Sequence, residues 1–251
     1  MKILAMATLV LSPFCLRAAD DSNAADESTA KTKKYPVTIS AGSDLVSSYD
    51  WRGVKVTGAA LQPTLSLEVA GFSATAWGSV DFAGTYKEMD LTLAYTIGPV
   101  SICVTDYYWT GHANDSYFAF GKDSPHRLEV GASWTITEKV PITLSWYTIV
   151  LGPADINNQG KQAYSSYMEI SYPFTVRTVD MIAGVGAVPW NSAATYGTGD
   201  RGFCVQNVFI GASKMWEPEC MKGIGIGLFT RLVWNPAMSD ANFIGGLSLR
   251  L

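Results

Sequence analysis

The sequence predicts an all-β fold, a closed antiparallel transmembrane β-barrel of about twelve strands with short periplasmic turns and longer external loops. Three observations predict it. The 251 residues are 48% hydrophobic but only 16% charged, where a soluble domain carries about 25% charge. Past the N-terminus, no apolar run approaches the ~20 residues that a membrane helix needs. From Tyr35 onward, segments of about ten residues alternate apolar and polar side chains, as barrel strands do when one face meets lipid and the other the lumen.

The first element reads as a secretory signal over residues 1–19. Lys2 gives the positive start, Ile3 to Leu16 the short apolar stretch, and Ala18 and Ala19 the small residues at its end. Residues 20–34 hold no bulky apolar side chain and read as a flexible leader, with the barrel occupying 35–251. Without the signal the chain has 16 basic against 22 acidic residues. That balance argues against a nucleic-acid partner, which needs a basic footprint. Of the remaining cysteines, Cys103, Cys204 and Cys220 are widely spaced and odd in number, so they form no disulfide framework. With no CxxC and no Cys/His cluster, neither a metal site nor a cofactor is expected.

Twelve strands follow, over 36–52, 60–69, 71–83, 87–97, 100–110, 125–137, 141–151, 162–173, 178–189, 202–216, 223–235 and 241–251. In the first, Val37, Ile39, Leu45, Tyr49 and Trp51 alternate with Thr38, Ser40, Asp44, Asp50 and Arg52. The second sets Leu61, Leu65, Leu67 and Val69 against Gln62, Thr64, Ser66 and Glu68. The fourth sets Met89, Leu91, Leu93 and Tyr95 against Glu88, Asp90 and Thr92. The sixth sets Leu128, Val130 and Trp134 against Arg127, Glu129 and Ser133. The eleventh opposes Ile226, Leu228, Leu232 and Trp234 to Arg231. In the fifth, Asp106 falls on the apolar face, which predicts a bulge or an early end.

The connections carry a rhythm. After even-numbered strands most are tight, at Ala70-Gly71, Gly98-Pro99, Thr137 to Pro141 and Pro173 to Arg177. After odd-numbered strands most are longer, over 53–59, 111–124, 152–161 and 190–201. This matches a barrel whose N-terminus starts on the periplasmic side. Such a barrel must close on itself, since lipid satisfies no open sheet edge. Its lumen should be wider than the filled eight-strand type and narrower than an open 16-strand porin. Tyr49, Trp51, Tyr107, Tyr108, Trp109, Tyr147, Trp190 and Trp234 lie near the upper strand ends, where an interfacial girdle is expected.

The segment from Asp44 to Asp90 resembles the N-terminal part of the TorF family of porins. The resemblance rests on Leu45 to Val54, with its Trp51-Arg52-Gly53, and on Ala60-Leu61-Gln62. Further on it rests on Gly71-Phe72, Ala76-Trp77-Gly78-Ser79, Asp81-Phe82 and Glu88-Met89-Asp90-Leu91. It covers about a fifth of the chain and implies an outer-membrane barrel with channel activity. The end of the chain, Leu249-Arg250-Leu251, departs from the aromatic ending that many such barrels share.

By strand parity, the pore-lining candidates are Asp44, Asp50, Arg52, Glu68, Asp81, Glu88, Asp90, Arg127, Glu129, Glu169, Arg231 and Arg250. They comprise eight acids and four arginines. Asp50, Arg52, Asp81, Glu88, Asp90, Arg127 and Glu129 fall toward the external mouth. Such a set serves as a charged constriction favouring cations or as a salt-bridge network filling the lumen. Trp77 also points inward, as a ligand-stacking platform or as filler. No enzyme is expected. The histidines are His112 and His126, and Ser124 would stand roughly 6–7 Å from His126 along an extended strand, beyond reach as its nucleophile. Two readings result. One is an outer-membrane porin or narrow channel for small polar solutes, embedded in lipid of a Gram-negative outer membrane, with a weak cation preference. The other is a non-conducting barrel acting as anchor, adhesin or scaffold through loops 111–124 and 190–201. Oligomeric state is left open.

Overall fold

The computed structural model describes residues 35–110, 116–118, 120 and 124–251. The expected signal over 1–19, the leader over 20–34, His112 and part of loop 111–124 lie outside the described residues. The strands are β1 Val37–Val46, β2 Tyr49–Trp51, β3 Val54–Thr57, β4 Ala60–Val69, β5 Phe72–Asp81, β6 Lys87–Ile97, β7 Val100–Thr110, β8 His126–Thr135, β9 Thr143–Leu151, β10 Ser166–Val176, β11 Val179–Val188, β12 Cys204–Trp216, β13 Gly225–Asn235 and β14 Asp240–Arg250. A single helical turn, α1 Ala193–Tyr196, lies between β11 and β12.

Twelve of these strands form one closed antiparallel barrel. Each pairs with its neighbour in sequence, and β14 returns to β1. The closing seam runs from Gly42↔Arg250 to Val46↔Gly246, while the other edge of β1 pairs with β4 from Val37↔Val69 to Val46↔Ala60. A ten-residue strand tilted by about 40° rises about 25 Å, the height of a membrane barrel's apolar band.

Alternation decides which face each side chain takes. Along β6, Glu88, Asp90, Thr92 and Ala94 are buried while Met89, Leu91 and Leu93 are exposed. Along β13, Phe229, Arg231, Val233 and Asn235 are buried while Leu228, Leu232 and Trp234 are exposed. The fold is therefore inside-out: polar and aromatic groups fill the lumen, and the large aliphatic side chains cover the outer wall. Hydroxyls line part of the lumen in cross-strand pairs, Ser66 with Thr75, Thr92 with Thr105 and Thr135 with Thr143. Each such pair contributes roughly 0.2–1 kcal/mol relative to alanines.

Several sequence expectations are corrected here. The first segment is not one strand over 36–52. Its wall strand stops at Val46, whose partner Ala60 already opens β4. Ser47 still bonds Gly245 of β14 and Ala59 accepts from Phe82, but the chain between these two leaves the wall ladder and folds on itself as the β2–β3 hairpin. Arg52 (φ 51) and Gly53 (φ 85) form its tip, the two-residue turn with both φ positive that suits a hairpin's twist. The eighth strand runs on through Pro173 to Val176. Proline is tolerated there because β9 pairs β10 only as far as Ser171, so no ladder bond needs its N–H. β7 neither bulges nor stops at Asp106 but pairs without a break from Val100 to Thr110. Asp106 faces outward, and its carboxylate is satisfied by His126 Nδ1 at 2.9 Å and Tyr117 Oη at 3.0 Å. Burial, together with that carboxylate, pushes the Tyr117 phenol up to about 12.

The expected aromatic girdle is largely absent. Tyr49, Trp51, Tyr107 and Tyr147 are buried inside the barrel, whereas Trp190 and Trp234 stay exposed. Inward parity and the approach of the hairpin account for this. The exposed tryptophans also include Trp134, Trp146 and Trp216. Cys204 opens β12 and Cys220 lies in the turn beyond it, with no disulfide between them.

Candidate functional site

The site is the upper lumen, and its centre is the hairpin tip. The β2–β3 hairpin leaves the top of β1 and β4 and reaches across the barrel. Asn235 on β13 donates to the carbonyl of Gly53 at 2.8 Å, and Gln206 on β12 donates to the carbonyl of Arg52 at 3.1 Å. Gly53 is required twice over. Its φ of 85° belongs to the left-handed region, and a Cβ there would overlap the carbonyl oxygen of Gln206.

Arg52 is 2% exposed and fully engaged at its terminal nitrogens. It forms a bidentate pair with Glu129 on β8, at 2.6 Å from Nη1 and 2.8 Å from Nη2. Nη1 also donates to Tyr196 Oη at 2.6 Å. The guanidinium carbon stands 4.6 Å from the Trp51 ring centre, 4.3 Å from Tyr147 and 4.9 Å from Tyr167. Tyr107 donates to the second oxygen of Glu129 at 3.0 Å. The charge is thus caged by aromatic faces and a matched carboxylate, the setting in which a guanidinium tolerates burial.

Aromatic rings fill the space around this pair. Trp51 stacks on Tyr196 with ring centres 5.1 Å apart and planes 4° from parallel. It meets Trp109 and Tyr107 edge-on at 5.0 and 5.7 Å. Tyr49 packs on Trp77 at 5.4 Å. Tyr196 belongs to α1, which the loop between β11 and β12 carries into the mouth. There Asp155 ties α1 to the neighbouring loop by accepting from Thr195 Oγ1 and the backbone N–H of Ser165. Burial raises the Tyr196 phenol above its usual value. On β10, the Tyr167 phenol packs close against Gly186 of β11, where any Cβ would overlap it.

The structure joins two pairs of the sequence candidates: Arg52 with Glu129, and Arg250 with Asp44 at 2.7 Å across the closing seam. Glu88 accepts from Trp109 Nε1 at 2.5 Å and Tyr86 Oη at 2.9 Å. Asp90 is 1% exposed, and its Oδ1 has no hydrogen-bond partner among the described residues. Arg127 lies over the Trp109 ring at 4.2 Å, and Arg231 over Phe209 at 3.7 Å. Asp50 accepts from Ser48 Oγ at 2.9 Å. Asp81 organises its own turn, accepting from the backbone N–H groups of Thr85 and Tyr86. Glu169 accepts from Tyr167 at 2.7 Å, and Glu68 is half-buried on the lumen face of β4. Trp77 packs against Tyr49 with ring planes tilted by 56°.

Sequence reasoning missed Tyr196, Gln206, Asn235 and Asn207, whose amide donates to Tyr167 Oη at 2.8 Å. Inward parity marks Gln206 and Asn235 as lumen residues but gives no sign that they hold a hairpin from the opposite wall. Tyr196 sits in a loop with no periodic signal. His126 is satisfied at both ring nitrogens, by Asp106 and by the carbonyl of Tyr117 at 2.7 Å. Ser124 Oγ accepts from the backbone N–H of His126, so it is not presented to the ring.

No family model and no curated protein matches the chain. Among solved structures it is similar to the KdgM porin at 8% identity, with 84% of this chain and 96% of that one covered and a TM-score of 0.45. It is also similar to an outer-membrane channel from Pseudomonas putida F1 at 13% identity, with 90% and 99% covered and a TM-score of 0.46. At these scores the likeness carries no argument about solute or mechanism.

Proposed function

We propose that this protein is an outer-membrane channel for small polar solutes with a cation preference. The observation that carries the reading is the inside-out alternation of a closed barrel. Exposed rows such as Leu61, Leu65 and Leu67 on β4 and Phe243, Leu247 and Leu249 on β14 run around the outer wall. An apolar surface of that extent has no place in water, and a barrel with no open edge is one of the two structures that lipid accepts. The cation preference rests on charge. Once Arg52–Glu129 and Asp44–Arg250 are paired, the remaining lumen acids Asp50, Glu68, Asp81, Glu88, Asp90 and Glu169 outnumber the cations left beside them, Arg127, Arg231 and Lys55, the cross-strand partner of Asp50. Unmatched carboxylates along a path favour cations. The resemblance of residues 44–90 to the TorF porins supports the same placement.

A second reading, the non-conducting barrel, draws on the filled mouth around Trp51 and Tyr196. A planar bilayer under a KCl gradient separates the two. The channel reading expects discrete conductance steps and a reversal potential of cation sign. An anion-signed potential would remove the cation preference.

A further inference from the structure

We propose that the β2–β3 hairpin is a plug latched shut by Arg52, and that the Arg52–Glu129 pair sets whether solute passes. This inference rests on the channel reading above. The barrel does not need the hairpin, because Val46 pairs directly with Ala60 and the wall is continuous beneath it. The hairpin also has little structure of its own. It pairs at Tyr49↔Thr57, Asp50↔Lys55 and Trp51↔Val54, with an irregularity after Tyr49, and a ribbon this short is unstable alone. What holds it is docking, at its base through Thr57 Oγ1 donating to Asp81 and Tyr49 packed on Trp77, and at its tip. Gln206 and Asn235 grip the backbone carbonyls of Arg52 and Gly53, and Glu129 grips the guanidinium.

The hairpin spans the bore. Tyr49 touches the Trp77 wall, Trp51 the Tyr107–Trp109 wall, and Arg52 the β8 to β10 wall. Arg52 also donates to Tyr196 of α1, so one arginine touches both inserts in the mouth. A place to bend exists, since Gly58 before β4 has open space around it. The parts are a dispensable insert, a narrow hinge and a single charged latch with its partner on the opposite wall.

The test compares three proteins refolded into planar bilayers in KCl: the wild type, Arg52→Ala, and a variant with residues 47–59 replaced by Asn-Gly, a two-residue hairpin turn. Heat-dependent gel migration confirms that each is a folded barrel. The expected result is a several-fold larger conductance for the Asn-Gly variant, with more frequent or larger openings for Arg52→Ala than for the wild type. Equal conductance from wild type and Asn-Gly variant overturns the plug and leaves the channel reading standing. Silence from all three folded proteins overturns both, because removing the hairpin then opens nothing.

Discussion

Arg52 shows how a magnitude chooses between outcomes. Truncating one partner of a buried ion pair costs about 3–5 kcal/mol when the other charge stays buried. In Arg52→Ala that penalty would fall on Glu129, but only while the hairpin stays docked. The hairpin's own pairing is short, so this penalty shifts the balance toward undocking, which rehydrates Glu129, against the burial of Tyr49 and Trp51 and the Gln206 and Asn235 bonds that still favour the docked state. Hydrogen exchange of Arg52→Ala is therefore expected to show fast amides over 49–57 with β1 and β4 still protected. Uniform loss of protection around the barrel would contradict this. Arg52→Lys is expected to behave like alanine in direction, since an ammonium cannot reproduce the two-nitrogen fork on Glu129. A different residue-scale test is Gly186→Ala. Its methyl would meet the Tyr167 phenol, and overpacking of this kind costs about 1–3 kcal/mol. The thermal midpoint of the gel shift should fall, whereas Gly58→Ala, in open space, should leave it unchanged.

At the scale of elements, what the sequence reveals depends on whether the signal is local. Alternation over 60–69 and 87–97 coincides with β4 and β6, because a strand buried on one face repeats every two residues. The tight turns are readable for the same reason, as with Ala70 (φ 51) and Gly71 (φ 83). The first segment misleads because Tyr49, Asp50 and Trp51 continue the alternation past Val46, and nothing local marks where the wall partner runs out. The Trp51-Arg52-Gly53 tip is visible in the sequence as a motif but not as a turn that crosses the lumen. Its contacts lie 77 residues away at Glu129 and 144 away at Tyr196, and no period encodes them. Asp106 is the converse case. It breaks the apolar face of β7 because hydrogen bonds with His126 and Tyr117, both distant in sequence, satisfy it. Asp106→Leu is expected to leave the barrel intact, by gel shift, while raising trypsin cleavage in the loop that Tyr117 anchors. Unchanged cleavage would show that the anchor lies elsewhere.

For the whole molecule, the central claim is that the outer wall faces lipid and the aromatic cluster faces the lumen. The tryptophans divide between the two. Trp134, Trp146, Trp216 and Trp234 are exposed on the outside, at 46%, 41%, 48% and 52%, while Trp51 is 3% exposed at the centre of the plug. Fluorescence quenching by brominated acyl chains reads this division directly. In variants that keep a single tryptophan, reconstituted in brominated phosphatidylcholine, Trp234 is expected to be strongly quenched and Trp51 to keep its emission. Equal quenching of both, or an unquenched Trp234, would contradict an inside-out barrel with Trp51 at its centre.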